Sequence, residues 1–214
     1  MTLTRIRTRE CVHPTSQGGV FMKQAGIVTA MVATALLGGA ALSAPSTDTE
    51  RRVGTSREAI QVFAATLKGE LQAAMEAGGP SNAIDVCTDR APAIAASVSE
   101  AQGMSIARTS LRYRNPDNSP DPWESKVLEE FEMRRAAGED PMTMDFAETL
   151  ETAEGPMFRY MKAIPTAELC LKCHGTDLDP KVSAQLDALY PDDRARGFNK
   201  GDIRGAFSVS QIVE

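Results

Sequence analysis

The sequence predicts an α+β fold, with helices first and a mostly antiparallel sheet with helical insertions after them. Three observations lead there. Apolar residues recur at helical spacing through the segments near residues 60–75, 84–101 and 123–131. Strand-like segments gather in the second half, from residue 143 onwards. No internal repeat is visible, so a solenoid or propeller is not indicated. The 214 residues are 42% hydrophobic, which suits one domain of ordinary size with a real core. Charged residues make up 24% and the net charge is -6. No run of Lys and Arg is long enough to form a stripe, so neither a disordered chain nor a nucleic-acid binder is indicated.

The elements follow in order. Residues 22–44 read M-K-Q-A-G-I-V-T-A-M-V-A-T-A-L-L-G-G-A-A-L-S-A, a short cationic start, an apolar stretch and a small-residue end. That is the layout of a secretory signal peptide cleaved near Ser43 or Ala44. The apolar stretch is short against the ~20 residues of a membrane span, although an uncleaved anchor would share the pattern. Gln17-Gly18-Gly19 can be encoded by CAAGGAGGU, a ribosome-binding sequence. Residues 1–21 are therefore expected to be untranslated leader read as protein. Arg5, Arg7, Arg9, Lys23 and Glu10 precede the cleavage zone, so the exported part is more acidic than the whole. It is expected to be periplasmic and soluble.

Residues 45–54 read as a polar linker. Thr55 and Glu58 form a capping box. Ile60, Phe63, Ala64, Leu67, Leu71, Ala74 and Met75 then mark a helix, which Gly78-Gly79-Pro80 stops. A second helical stretch starts at Ser81, carries Ile84 and Cys87, restarts at Pro92 and ends at Gly103. Residues 104–113 look like a strand that points Arg108, Arg112 and Arg114 one way. Residues 115–122 form a turn-rich loop and residues 123–137 a third helix. Residues 143–150 and 156–164 form an antiparallel pair around Glu154-Gly155. Residues 180–189 read as a helix and residues 205–213 as a last strand, with Phe207 and Val209 on one face and Ala206, Ser208 and Ser210 on the other.

The segment E-L-C-L-K-C-H-G spans residues 168–175 and contains C-x-x-C-H, the attachment pattern of a c-type haem. Two thiols must add to two vinyl groups on one edge of a porphyrin. On a helical turn Cys170 and Cys173 share a face. His174 then stands over the iron as the proximal ligand. A zinc site of Cys87, Cys170, Cys173 and His174, a redox dithiol and a plain disulfide are the rival readings. The dithiol lacks its βαβ surroundings, and export favours haem c.

After export His174 is the one remaining histidine, and Cys87 is the cysteine left over from the thioether bonds. Bis-histidine ligation within one chain is therefore excluded. A methionine (Met157 or Met161), a lysine, Cys87, water or nothing could complete the iron. Arg108, Arg112 and Arg114 are candidate partners of the haem propionates, or else line a solvated strand edge. Trp123 is expected in the core. An electron-carrier cytochrome c holds its motif near the N-terminus, whereas this motif lies late in the chain. A haem peroxidase needs a distal acid–base, and no second histidine is left for one.

Four segments carry a resemblance. They are A-I-D-V-C-T-D-R-A-P at 83–92, R-Y-R-N-P-D-N-S-P-D-P-W-E at 112–124, C-L-K-C-H-G at 170–175 and G-D-I-R-G-A-F-S-V at 201–209. Together they resemble a family of single-haem c-type domains with a PAS-like sheet, formerly a domain of unknown function. The family occurs alone behind an export signal and as the sensor part of membrane-bound signalling proteins. The resemblance covers about residues 55 to 214. It implies a PAS-like antiparallel sheet with N-terminal helices, one covalent haem c, His174 as one axial ligand and Cys87 as the other. A thiolate ligand stabilises the ferric state and lowers the potential. Its release on reduction would open a position for CO or NO. The expected function is thus a redox or small-gas sensor, with a periplasmic electron carrier as the alternative and a peroxidase-like enzyme behind it. A redox or signalling partner protein and a homodimer are left open by the sequence.

Overall fold

The computed structural model describes residues 47–213. The leader and signal-peptide expectations lie outside that range. No described helix is long and apolar enough to cross a membrane.

Helix α1 (Thr47–Asp85) starts inside the segment expected to be a linker. Polar composition there marks a helix end rather than a loop. Asp48 and Glu50 occupy the first turn, where acids suit the helix dipole. Asp48 pairs with Arg51 and, at 2.7 Å, with Arg52, both within i+3 or i+4 reach. Arg52 also donates to Gln211 at 2.7 Å, which ties this turn to the sheet. Thr55 is therefore not a cap. It lies mid-helix and its hydroxyl donates to the Arg51 carbonyl at 3.1 Å. The expected break is present: Gly78 (φ -162, ψ 17) and Gly79 (φ 75, ψ -162) are not helical, and Pro80 resumes the helix. Ile60 and Phe63 are buried as expected, whereas Leu71, Ala74 and Met75 are not fully enclosed.

A wider π turn (Val86–Arg90) carries Cys87 and leads into α2 (Ala91–Gln102), which Gly103 closes at φ 62. Strand β1 (Ser105–Thr109) is shorter than expected. Helix α3 (Pro122–Ala136) starts in a capping box of Asp121 and Glu124. The hairpin of β2 (Asp145–Thr152) and β3 (Gly155–Pro165) follows, turning at Glu154-Gly155. Next come a short 3-10 turn (Glu168–Cys170), α4 (Leu171–His174), α5 (Pro180–Leu189) and β4 (Ile203–Ile212).

The sheet runs β1-β4-β3-β2 with every pairing antiparallel. The α+β expectation is therefore met. Both faces are covered. On one, Ala59, Ile60 and Phe63 of α1 and Ile94 and Val98 of α2 pack on Ile106, Phe158, Tyr160 and Val209. On the other, Val127, Leu128 and Phe131 of α3 pack on Met161, Ala163 and Ala206. The alternation expected in β4 is thus present, with Val209 and Ala206 in opposite clusters. Trp123 is only half-buried at the edge of the α3 layer, and its indole donates to Glu148 at 2.8 Å. A third cluster joins Ile84 to Val182 and Leu186 of α5, with Cys173 and Tyr190 against it.

Candidate functional site

The two cysteines sit where the 3-10 turn runs into α4, and both are free thiols. Gly175 ends this turn in extended backbone, and a side chain there is disfavoured because a Cβ would lie 2.6 Å from the Leu171 carbonyl oxygen. The loop at 193–199 then fastens the motif. Phe198 N donates to the His174 carbonyl and Gly197 N to that of Gly175, both at 2.9 Å.

His174 Nδ1 lies 2.7 Å from the Ala195 carbonyl oxygen. A carbonyl only accepts, so Nδ1 carries the hydrogen and Nε2 keeps a lone pair. Burial, then the nearby Arg204 and Arg114, hold the imidazole pKa well below its ordinary value. The ring is neutral at physiological pH, which is the state a metal ligand needs. Phe198 meets it edge-on, with ring centroids 6.3 Å apart.

Cys87 reaches the same place from the π turn. Three residues earlier, Ile84 packs in the cluster that includes Cys173. Cys87 lies within electrostatic reach of both Cys173 and Arg108. Thr88 lies within 2.8 Å of the Tyr190 hydroxyl and anchors the turn beside the motif. The structure therefore brings Cys87, Cys170, Cys173 and His174 into one neighbourhood. Among the described residues, however, no three His, Cys, Asp or Glu side chains converge as a bare ion requires. The four-ligand zinc arrangement is not formed.

The three arginines do not share a strand face. The strand ends at Thr109 because the chain turns away there. Ser110 N donates to Asn118 O at 3.1 Å, and its hydroxyl donates to Arg204 O at 2.8 Å. Arg108 stays in the strand, beside Phe63. Arg112 lies over the Phe198 ring at 3.9 Å. Arg114 is buried and turned to protein partners. Its Nη2 donates to Cys173 O at 2.5 Å and to Ala195 O at 3.3 Å. Its Nε lies 3.1 Å from Asp193 Oδ1 in ion-pair contact, without the alignment of a hydrogen bond.

Sequence reasoning missed Arg204. It stands within electrostatic reach of His174 and Cys170. Burial, with Arg114 and Arg108 nearby, lowers its pKa to about 10. Arg108 is lowered by burial as well. Among the described residues neither is in contact with a carboxylate: Arg204 donates to Ser110 Oγ and Arg112 O, at 3.3 and 3.4 Å. Arg204 lies inside the 201–209 segment that carries the resemblance, which is its one available signal.

Met157 and Met161 project from β3 on the same side as Arg159, which contacts Asp121 and Glu124 at the start of α3. Met161 is fully buried in the α3 cluster, on the sheet face opposite Phe63 and Arg108. Two cavities, of about 70 and 340 Å³, are lined by Ser110, Arg112 and Glu132 and by Pro80, Leu171 and Lys172 respectively. Neither is lined by Cys87 or His174.

No curated protein matches the chain. Among solved structures, the crystal structure of the cyanobacterial heme-protein Tll0287 matches with a TM-score of 0.55 and 23% sequence identity. The match covers 80% of this chain and 98% of that one. At that identity the likeness is one of fold, and it extends over nearly the whole of the cyanobacterial protein. The Tll0287-like family model matches residues 15–211, a span that includes all four segments that carry the resemblance. The chain belongs to the Tll0287-like family.

Proposed function

We propose that this chain is a haem protein working outside the cytoplasm as a redox or small-gas (NO or CO) sensor. Cys170 and Cys173 hold one haem c through thioether bonds, and His174 and Cys87 are the axial ligands. The observation that carries the haem reading is the pair of half-buried guanidiniums, Arg108 and Arg204, that touch no carboxylate among the described residues and stand beside a neutral His174. Taking an unpaired cation even partly out of water costs free energy unless something neutralises it. Haem brings two propionates, and the donor set fits it: two free thiols on one turn, and an imidazole Nε2 with its lone pair available. The likeness to a solved haem protein supports the same reading.

When bound, the group supplies a one-electron couple and an axial position that can exchange. Ala195 O fixes the tautomer and orientation of His174. Cys87 is held on a π turn, a form common at functional sites and convertible to regular helix by a one-residue shift. Such a shift would carry the thiol away from the site, which favours a switch over a rigid electron carrier.

The test is expression with export and the c-type maturation machinery. One haem per chain is expected to stay with the denatured polypeptide, and to be lost when Cys170 and Cys173 are both changed to Ala. Ferric optical and EPR spectra are expected to report a thiolate ligand that Cys87→Ser removes. Methionine-type spectra, unchanged in Cys87→Ser, would refute the ligand assignment. Electron exchange with a donor that leaves the ligand set unaltered would favour the carrier.

A further inference from the structure

We infer that the Arg114–Asp193 pair is a positioning device that sets how strongly His174 donates to the iron. The inference rests on the haem reading above. Its basis is one shared acceptor. The Ala195 carbonyl takes both the His174 Nδ1–H, at 2.7 Å, and Arg114 Nη2, at 3.3 Å. A bond to Nδ1–H gives the ring imidazolate character and strengthens its donation through Nε2. A second, cationic donor on the same oxygen withdraws electron density and weakens that bond. Arg114 also donates to Cys173 O, one residue before the ligand, so the cation touches both the carbonyl that His174 uses and the backbone that carries His174.

Asp193 moderates the cation. Its side chain is 3% exposed and that of Arg114 8%, so little water screens the pair. Asp193 Oδ1 also accepts from Ala195 N at 2.9 Å, fixing the residue whose carbonyl the histidine uses. Oδ2 is held by Arg196 at 2.7 Å. The carboxylate therefore sits in one place. Arg114 favours the reduced, less positive centre, and Asp193 opposes it.

The two side chains should move the reduction potential in opposite directions, which a role in folding alone would not do. In the haem-loaded protein, Arg114→Gln is expected to lower the potential by about 60 mV, a tenfold change in a one-electron equilibrium. The ferrous iron–histidine vibration should rise with it. Asp193→Asn keeps an acceptor for Ala195 N and is expected to raise the potential by a similar step. Arg114→Lys keeps the charge and should stay near the parent value. Spectroelectrochemistry reads the potentials, and urea unfolding of the same samples reads stability. Potentials that both fall, or that stay fixed while stability drops, overturn the proposal. A parent protein that never acquires haem overturns instead the reading on which it rests.

Discussion

Asp193 shows how much one buried carboxylate can organise. Burial pushes its pKa up, but the hydrogen bond from Arg196 and the ion pair with Arg114 outweigh burial and hold it below the ordinary value. A carboxyl with a depressed folded-state pKa contributes stability above its unfolded pKa of roughly 4, and that contribution fades as pH falls through the folded value. Asp193→Asn should therefore cost about 3 kcal/mol at neutral pH, the usual cost of breaking a buried pair. The gap between parent and variant should narrow steadily below about pH 4. Urea unfolding at neutral and acid pH checks this, and a gap independent of pH would show that the charge contributes nothing. Sequence alone could not single out this residue. In D-D-R-A-R-G-F the charges read as a solvated loop, and only the folded arrangement, in which Asp193 meets Arg114, Arg196 and Ala195 N, takes its side chain out of water.

At the scale of elements, the features legible in the sequence are those with a local cause. The break at Gly78-Gly79, the close at Gly103, the hairpin at Glu154-Gly155 and α5 all follow from chain stereochemistry or a clean period. Features that depend on partners distant in sequence are not legible. The first turns of α1 look like a linker because their stabilising ion pairs and the Arg52–Gln211 bond leave no apolar pattern. The arginine run overshoots β1 because the contact that ends the strand comes from β4. That contact makes Gly205 a sensitive position. Its φ is +156, and a Cβ there would lie 2.3 Å from the Thr109 carbonyl oxygen. The obstacle is backbone, so it cannot swing aside. Gly205→Ala should cost about 3 kcal/mol, combining strain and overpacking, and should disturb the haem spectrum through its neighbour Arg204. Gly69 in α1 is the control, because a Cβ there would meet nothing within 4 Å. Gly69→Ala should add about 0.5–1 kcal/mol through helix propensity and a less flexible unfolded chain. Paired unfolding curves check both signs, and equal effects at the two sites would contradict the close-approach account.

Across the whole molecule, the proposed site is where four separate segments meet. Cys87 comes from the π turn, Arg108 from β1, the C-x-x-C-H motif from α4 and the turn before it, and Arg204 from β4. The family resemblance is enough to pair Cys87 with the motif, but the charge balance of the assembled site emerges only in three dimensions. Two half-buried guanidiniums from adjacent strands have no carboxylate in contact among the described residues, so the haem-free protein must bear that charge alone. The fold is thus expected to be less stable without its cofactor, and an arginine should change its sign of effect with loading. Arg204→Gln in the Cys170→Ala, Cys173→Ala background should raise stability by about 1 kcal/mol, because it removes an uncompensated, half-buried charge. In the haem-loaded parent the same change should lower stability by a similar amount, because a propionate would then lose its partner. Thermal or urea unfolding of the four proteins forms a double-mutant cycle in which the coupling, not either single effect, is the quantity of interest. A coupling near zero, with Arg204→Gln destabilising both backgrounds alike, would mean that Arg204 serves only through the packing of its stem. A coupling of about 2 kcal/mol would mean that this fold keeps its cations unpaired because an anionic cofactor completes them.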